Sequence, residues 1–352
     1  MDCFMPKKIS YFIHDFAPDR EALSKEVELL HSYFEGHKDF QVAFHDISTK
    51  FKFRISKSMV CYSDWMLPLG YFFTRHLQNH SDLVHIFGSV TGRIYLKILN
   101  RRPAVLTNAS AIIMDRIESC KSYWSKLDKI IVECNRDKKI LLEHGVSPEQ
   151  LQLIYPGVQL PEVTTPKTGR KFKILFASAP ISNAIGELSS RGLDLILKVA
   201  SELKDCEFTL LWRGKHLDQI QDQTNTLEFN NVILQNEIVS DMTHFYEQFH
   251  AIILVPIKED ACKPCPHSII EALAIGRPVI ASRFVGITDL IEQEGCGVIC
   301  DGKKESLLNV IEKLRMSYSV YQRRCRVTAE HYFSISEFIH RYEKLYSEFL
   351  DV

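Results

Sequence analysis

The stretch Ile252–Cys300, IILVPIKEDACKPCPHSIIEALAIGRPVIASRFVGITDLIEQEGCGVIC, decides the fold. Ile252–Pro256 is a short apolar run, followed by a polar loop and then by apolar residues at helical spacing over Ser268–Ile275. Gly276-Arg277-Pro278 breaks that helix, and Val279–Ser282 is a second apolar run. A helix over Thr288–Glu294 and a strand over Gly297–Cys300 follow. Apolar runs of this length, alternating with helices, predict a parallel sheet covered on both faces. Ligands of such sheets bind beyond the carboxyl ends of the strands, so the loop Lys258–His267 is the expected binding edge. Pro264 and Pro266 stiffen that loop, and the amides of His267, Ser268 and Ile269 open the next helix, which suits an anion. Glu271 lies one turn in, placed to accept hydrogen bonds from a diol.

The same alternation runs outward in both directions. Lys8–His14, Phe40–Ile47, Asp82–Gly88, Pro103–Thr107, Lys129–Glu133 and Leu151–Tyr155 read as strands, with helices over Ala22–Phe34 and Arg136–His144. Glu162–Arg170 is polar, carries Pro166 and Gly169, and reads as a linker. Phe172–Ala177 and Phe208–Trp212 then begin a second sheet, and helices over Glu305–Leu314, Tyr321–Tyr332 and Ile335–Leu350 close the chain. The expected domains are therefore 1–162 and 171–332, with 333–352 a C-terminal helix.

Two cations stand at the predicted edge of the second sheet. Arg191-Gly192 opens a helix, where a positive side chain is mildly unfavourable, so an anionic ligand is its natural partner. Arg213, followed by Gly214 at the end of the Phe208–Trp212 strand, points toward the same edge. His85 lies within its strand rather than at the mouth, which marks a structural histidine. Lys50–Ile55 alternates basic and apolar residues, and Gly92–Arg102 mixes the two; each reads either as an ordinary packed element or as contact with a lipid surface.

Composition narrows the classes. The 352 residues allow two domains with ample cores, and 45% hydrophobic with 25% charged residues is the profile of a globular protein. A net charge of −1 gives no reason to expect a nucleic-acid partner. There is no run of about 18 apolar residues and no apolar leader core after Met1, so the chain is expected to be cytoplasmic. The ten cysteines are scattered, often inside apolar runs, as in reduced cytosolic proteins. Cys262, Cys265, Cys296 and Cys300 have spacings that zinc could use, but small core hydrophobes are the simpler reading.

Pro264-Cys265-Pro266-His267-Ser268-Ile269-Ile270-Glu271-Ala272-Leu273-Ala274-Ile275-Gly276-Arg277-Pro278 resembles the donor-site signature of retaining family-4 glycosyltransferases. The resemblance implies the GT-B architecture, two facing Rossmann-like domains, with the C-terminal helix crossing back to the first. It implies a nucleotide-sugar donor, UDP- or GDP-linked, and a glycan, lipid-linked or small-molecule acceptor. No metal or other cofactor is implied. Glu271 would hold the ribose, the amides of His267, Ser268 and Ile269 would meet the diphosphate, and Arg191 and Arg213 would neutralise it. A lipid-linked acceptor would bring peripheral contact with the inner membrane face.

The chain departs from that family at three places. An acidic residue that touches the donor sugar stands eight positions before the ribose glutamate; here the position is Lys263, with Glu259 and Asp260 nearby. Lys263 could read a carboxylated sugar, could swing into solvent, or could leave the acidic role to Glu259 or Asp260. The loop Asp15–Glu21 lacks the family's glycine pair. Asn108 stands where many relatives have a histidine; it can hydrogen-bond a sugar hydroxyl but cannot act as a base. These departures keep two other readings open: a non-catalytic partner subunit that binds nucleotide or glycan, and a sugar-nucleotide epimerase on the same fold.

Overall fold

The computed structural model describes residues 5–14, 16–18, 21–48, 59–63, 74–163, 171–178, 187–212, 216–226 and 230–352. The chain forms two compact units, Met1–Gly157 with Ser336–Val352, and Val158–Ile335. Lys50–Ile55 lies outside the described residues.

In the first unit, strands β1 (Lys7–His14), β2 (Phe40–Ser48), β3 (Met59–Ser63), β4 (Leu83–Gly88), β5 (Ala104–Asn108), β6 (Lys129–Val132) and β7 (Leu151–Leu153) form one sheet. Their order is β3-β2-β1-β4-β5-β6-β7. Every pairing is parallel. The connections carry helices α1 (Ala22–Phe34), α2 (74–79), α3 (Arg93–Ile98), α4 (Ile117–Trp124) and α5 (Asn135–Glu143). Strand interiors such as Leu83–Phe87 and Ala104–Leu106 are buried without alternation, because helices cover both faces of the sheet. Strand β3 is the one element of this sheet that the apolar pattern does not announce. Among the described residues it is an edge strand paired with β2 alone.

Helix α14 (Ile335–Leu350) belongs almost wholly to this first unit. It buries Phe338, Tyr342, Leu345 and Tyr346, the spacing of a single helical face. The tyrosines of that face end in a buried polar chain across β1, β4 and β5. Tyr346 donates to the Tyr11 hydroxyl at 2.9 Å and lies 2.7 Å from His85 Nδ1. His85 Nε2 is 2.8 Å from Thr107 Oγ1, which in turn meets the Tyr342 hydroxyl at 2.8 Å. Burial pushes the His85 imidazole well below its ordinary pKa, so the ring is neutral. A neutral ring has one donor and one acceptor, and since Tyr346 donates to Tyr11, Nδ1–H must donate to Tyr346 and Nε2 must accept from Thr107. His85 is therefore structural, as its place inside the strand predicts.

In the second unit, β8 (Phe172–Ser178), β9 (Cys206–Trp212), β10 (Val232–Gln235), β11 (Ala251–Leu254), β12 (Val279–Ser282) and β13 (Gly297–Cys300) form a parallel sheet of order β10-β9-β8-β11-β12-β13. Helices α6 (Glu187–Ser190), α7 (Leu193–Ala200), α8 (Leu217–Thr226), α9 (Met242–Tyr246), α10 (His267–Ala274), α11 (Thr288–Glu294), α12 (Lys304–Met316) and α13 (Tyr318–Tyr332) surround it. From β8 the chain builds outward to β10, then returns to the other side of β8 and builds outward again from β11. The direction reverses between β8 and β11, and the carboxyl ends of those two strands flank the crevice where such sheets bind ligands.

The break after α10 has a specific geometry. Gly276 is left-handed (φ +77°), its amide donates to Leu273 O at 3.0 Å, and the Arg277 amide donates to Ala272 O at 2.8 Å. These two bonds close the helix end as a Schellman motif. The fully buried Arg277 guanidinium then donates to Ile275 O and Glu247 O at 3.0 and 3.2 Å, tying α10 to the end of α9. None of the described cysteines is in a disulfide, and Cys265, Cys296 and Cys300 are buried in the core. Among the described residues no three His, Cys, Asp or Glu side chains are grouped to hold a metal ion, so Cys262, Cys265, Cys296 and Cys300 do not form a zinc cluster.

Candidate functional site

Three segments of the second unit meet at the carboxyl ends of β8 and β11. Strand β8 ends at Ser178, whose hydroxyl accepts from Arg191 Nη1 at 2.6 Å. Arg191 is only 7% exposed, so its charge is held in the crevice rather than spread into solvent. The turn that carries it is fixed by Gly192, which has φ +86° and packs so closely on the Val255 carbonyl that a Cβ there would overlap the oxygen. The Ile257 amide donates to Ser190 O at 2.9 Å. The 190–192 turn thus lies directly against the chain leaving β11.

Beyond β11, Val255 and Pro256 are buried, and Pro256 O accepts from Ser282 Oγ at the end of β12 at 2.6 Å. Ile257–Asp260 is exposed, and Lys258 pairs with Asp260 at 3.2 Å. The chain then turns inward: Ala261, Pro264, Cys265 and Pro266 are all buried. Lys263 follows this path. Its Nζ is buried and has no hydrogen-bond partner among the described residues.

Helix α10 begins at His267 with Pro266 as its N-cap. The His267 and Ser268 amides are the first two donors of the helix, where the dipole favours an anion. Ile269 does not join them. Its amide donates to Pro266 O at 3.0 Å and its side chain is fully buried, so this expected phosphate contact is corrected to a structural residue. One turn on, Glu271 keeps 22% of its side chain exposed. Its Oε2 accepts from the Tyr246 hydroxyl at 3.1 Å, and Oε1 lies 3.9 Å from His267 Nδ1. Tyr246 is buried in an apolar cluster with Leu175, Leu211, Phe245, Phe249, Ile252, Ala272 and Ile275, so the donor that orients the carboxylate is rigid. No spacing in the sequence pairs Tyr246 with Glu271. On α9 it reads as one more core aromatic.

Arg213 lies outside the described residues. Asn108 belongs to the first unit and is fully buried. Its Oδ1 accepts from the Val90 amide at 3.0 Å, and Nδ2 donates to Ser110 O at 3.0 Å and Asp137 Oδ2 at 3.1 Å. Both of its N–H groups and its carbonyl are spent on its own domain, which corrects the expected sugar contact to a brace at the exit of β5. Asn108→Ala is expected to lower unfolding free energy by about 1–3 kcal/mol, because it leaves buried partners unsatisfied. An unchanged urea midpoint would refute the brace.

Residues 179–316 match the family model for glycosyl transferases group 1, spanning the Arg191 turn, the β11–α10 loop and Glu271. That match lies within the second unit, Val158–Ile335. Solved glycosyltransferases share its fold. A glycosyltransferase from Rickettsia africae is 17% identical over 98% of this chain and 99% of its own, with a TM-score of 0.72. Sucrose-phosphate synthase from Thermosynechococcus elongatus is 14% identical over 97% of this chain and 98% of its own, with a TM-score of 0.77. HepE of Anabaena, solved in complex with UDP-glucose, is 13% identical over 97% and 99%, with a TM-score of 0.76. No curated protein sequence matches the chain. The shared fold extends over nearly the whole chain and is the GT-B architecture of two Rossmann-like domains. Among the described residues, no helix is long and apolar enough to cross a membrane.

Proposed function

We propose that the chain transfers a sugar, with retention of anomeric configuration, from a nucleotide-sugar donor to a glycan, lipid-linked or small-molecule acceptor. The observation that carries this is the convergence of Arg191, the first amides of α10 and Glu271 at one reversal point of the sheet. A diphosphate needs concentrated positive charge, and Arg191 with the α10 amides supplies it without a metal ion. A ribose diol needs an oriented carboxylate, and Tyr246 holds the one on Glu271. Solved structural neighbours bound to UDP and to UDP-glucose support the same choice of donor.

In this reading catalysis is positioning and electrostatics. As the bond between the anomeric carbon and the phosphate oxygen lengthens, negative charge grows on the leaving diphosphate. Arg191 and the amides of His267 and Ser268 stabilise it there. The acceptor hydroxyl attacks the same face, forms the new glycosidic bond, and passes its proton to the departing phosphate oxygen. A lipid-linked acceptor would bring the enzyme to a membrane surface as a peripheral protein.

The test is a panel of UDP- and GDP-sugars, with binding read by calorimetry and product configuration by NMR. At least one α-linked donor is expected to bind and to yield an α-linked product. A β-linked product would overturn retention, and failure of every nucleotide-sugar to bind would overturn the donor assignment.

A further inference from the structure

The donor reading leaves one cation of the β11–α10 loop without a task. Lys263 Nζ is buried and, among the described residues, meets no hydrogen-bond acceptor. An ammonium taken out of water without a counter-charge costs several kcal/mol, so a chain keeps one where something else completes it. The two acids that precede it in the loop do not. Asp260 is 47% exposed and pairs with Lys258 at 3.2 Å, and Glu259 faces solvent. The ammonium does not reach solvent either, although part of the side chain's stem does. It lies between buried Ala261 and the buried Pro264-Cys265-Pro266, and the two prolines fix the backbone on that side.

Arg191 and the α10 amides already offer the positive charge that a diphosphate requires, and Lys263 adds one more on the same loop, four residues before α10 begins. We propose that Lys263 reads a carboxylate on the transferred sugar, so that the donor is a nucleotide-linked hexuronic acid. This rests on the donor site proposed above. An ammonium offers three donors and no acceptor, which matches a carboxylate and gives little to a neutral hydroxymethyl group.

The experiment measures binding of UDP, GDP, UDP-glucose, UDP-glucuronate, GDP-mannose and GDP-mannuronate to the wild type and to Lys263→Met. Methionine keeps the stem and removes the charge. The wild type is expected to bind a uronate donor at least about tenfold more tightly than its neutral counterpart, as for a close desolvated charge pair. Lys263→Met should lose that preference while its affinity for the bare nucleoside diphosphate stays unchanged. The variant should also melt no lower than the wild type in the absence of ligand, since it removes a buried ammonium that has no hydrogen-bond partner among the described residues. A wild-type preference for the neutral sugar overturns the proposal. So does an equal loss of affinity for the bare diphosphate, which would assign Lys263 to the phosphates, and so does a lowered melting temperature, which would make Lys263 structural. If the wild type binds none of the six ligands, the donor site itself is wrong and the inference falls with it. Binding of UDP or GDP without any uronate preference defeats the inference alone.

Discussion

Glu271→Ala is expected to weaken nucleoside diphosphate binding by about a hundredfold, because a carboxylate that accepts two ribose hydroxyls makes charged hydrogen bonds of about 1.5–3 kcal/mol each. The fold should survive, since part of the Glu271 side chain reaches solvent and α10 is held by its apolar face of Ile269, Ile270 and Leu273. Arg191→Ala should produce a loss of similar size through the diphosphate rather than the ribose. The two variants therefore differ with a nucleoside, which carries no phosphate. Glu271→Ala should lose affinity for it, and Arg191→Ala should not. Tyr246→Phe tests the orienting bond alone and should cost about five- to tenfold, the scale of one hydrogen bond. Calorimetry with UDP, GDP, uridine and guanosine reads all three. Unchanged diphosphate affinity in both Glu271→Ala and Arg191→Ala would remove the site from this edge of the sheet.

Gly192→Ala should be the most damaging single-atom addition in the second domain. A left-handed backbone costs an L-residue about 1–2 kcal/mol, and this Cβ would also meet the Val255 carbonyl, a backbone atom that cannot step aside. A combined loss above about 4 kcal/mol is expected, a size reserved for a few mechanisms of which backbone overlap is one. The alternative for the chain is to lift the 190–192 turn away from β11, which would carry Arg191 off Ser178 and empty the phosphate side of the site. Either way donor binding is lost. Gly145 supplies the control, because its φ is +92° but nothing lies within 4 Å of its missing Cβ. Gly145→Ala should cost only the backbone conformation, about 1–2 kcal/mol. Equal urea midpoints for the two variants would show that the overlap at Gly192 relaxes without cost.

The second domain was largely legible because each of its central strands is an apolar run closed by its own turn chemistry. Val279–Ser282, Thr288–Glu294 and Gly297–Cys300 coincide with the observed elements residue for residue. What the sequence hid was the partner of each polar group. Asn108, at the end of a strand, looks like a ligand contact until Asp137 from α5 and the Val90 amide are seen to consume it. Ile269 looks like a phosphate amide until the tight first turn of α10 gives that amide to Pro266. Tyr246 carries no local signal at all, since its hydroxyl meets Glu271 only once α9 and α10 pack on the same apolar cluster. Lys263 is the reverse case. The sequence marks it as odd and offers three explanations, and the burial of its Nζ, which no spacing announces, is the observation from which a carboxylated sugar is proposed.

Helix α14 has a consequence for how the protein is made. Tyr342 and Tyr346 complete a core whose other members precede Gly157, so that core stays open while the whole of Val158–Ile335 emerges from the ribosome. Until then Tyr11, His85 and Thr107 have no hydroxyls from α14 to meet. The second domain, contiguous in the chain, has all its strands in hand before α14 is synthesised. The domain begun first is the one finished last.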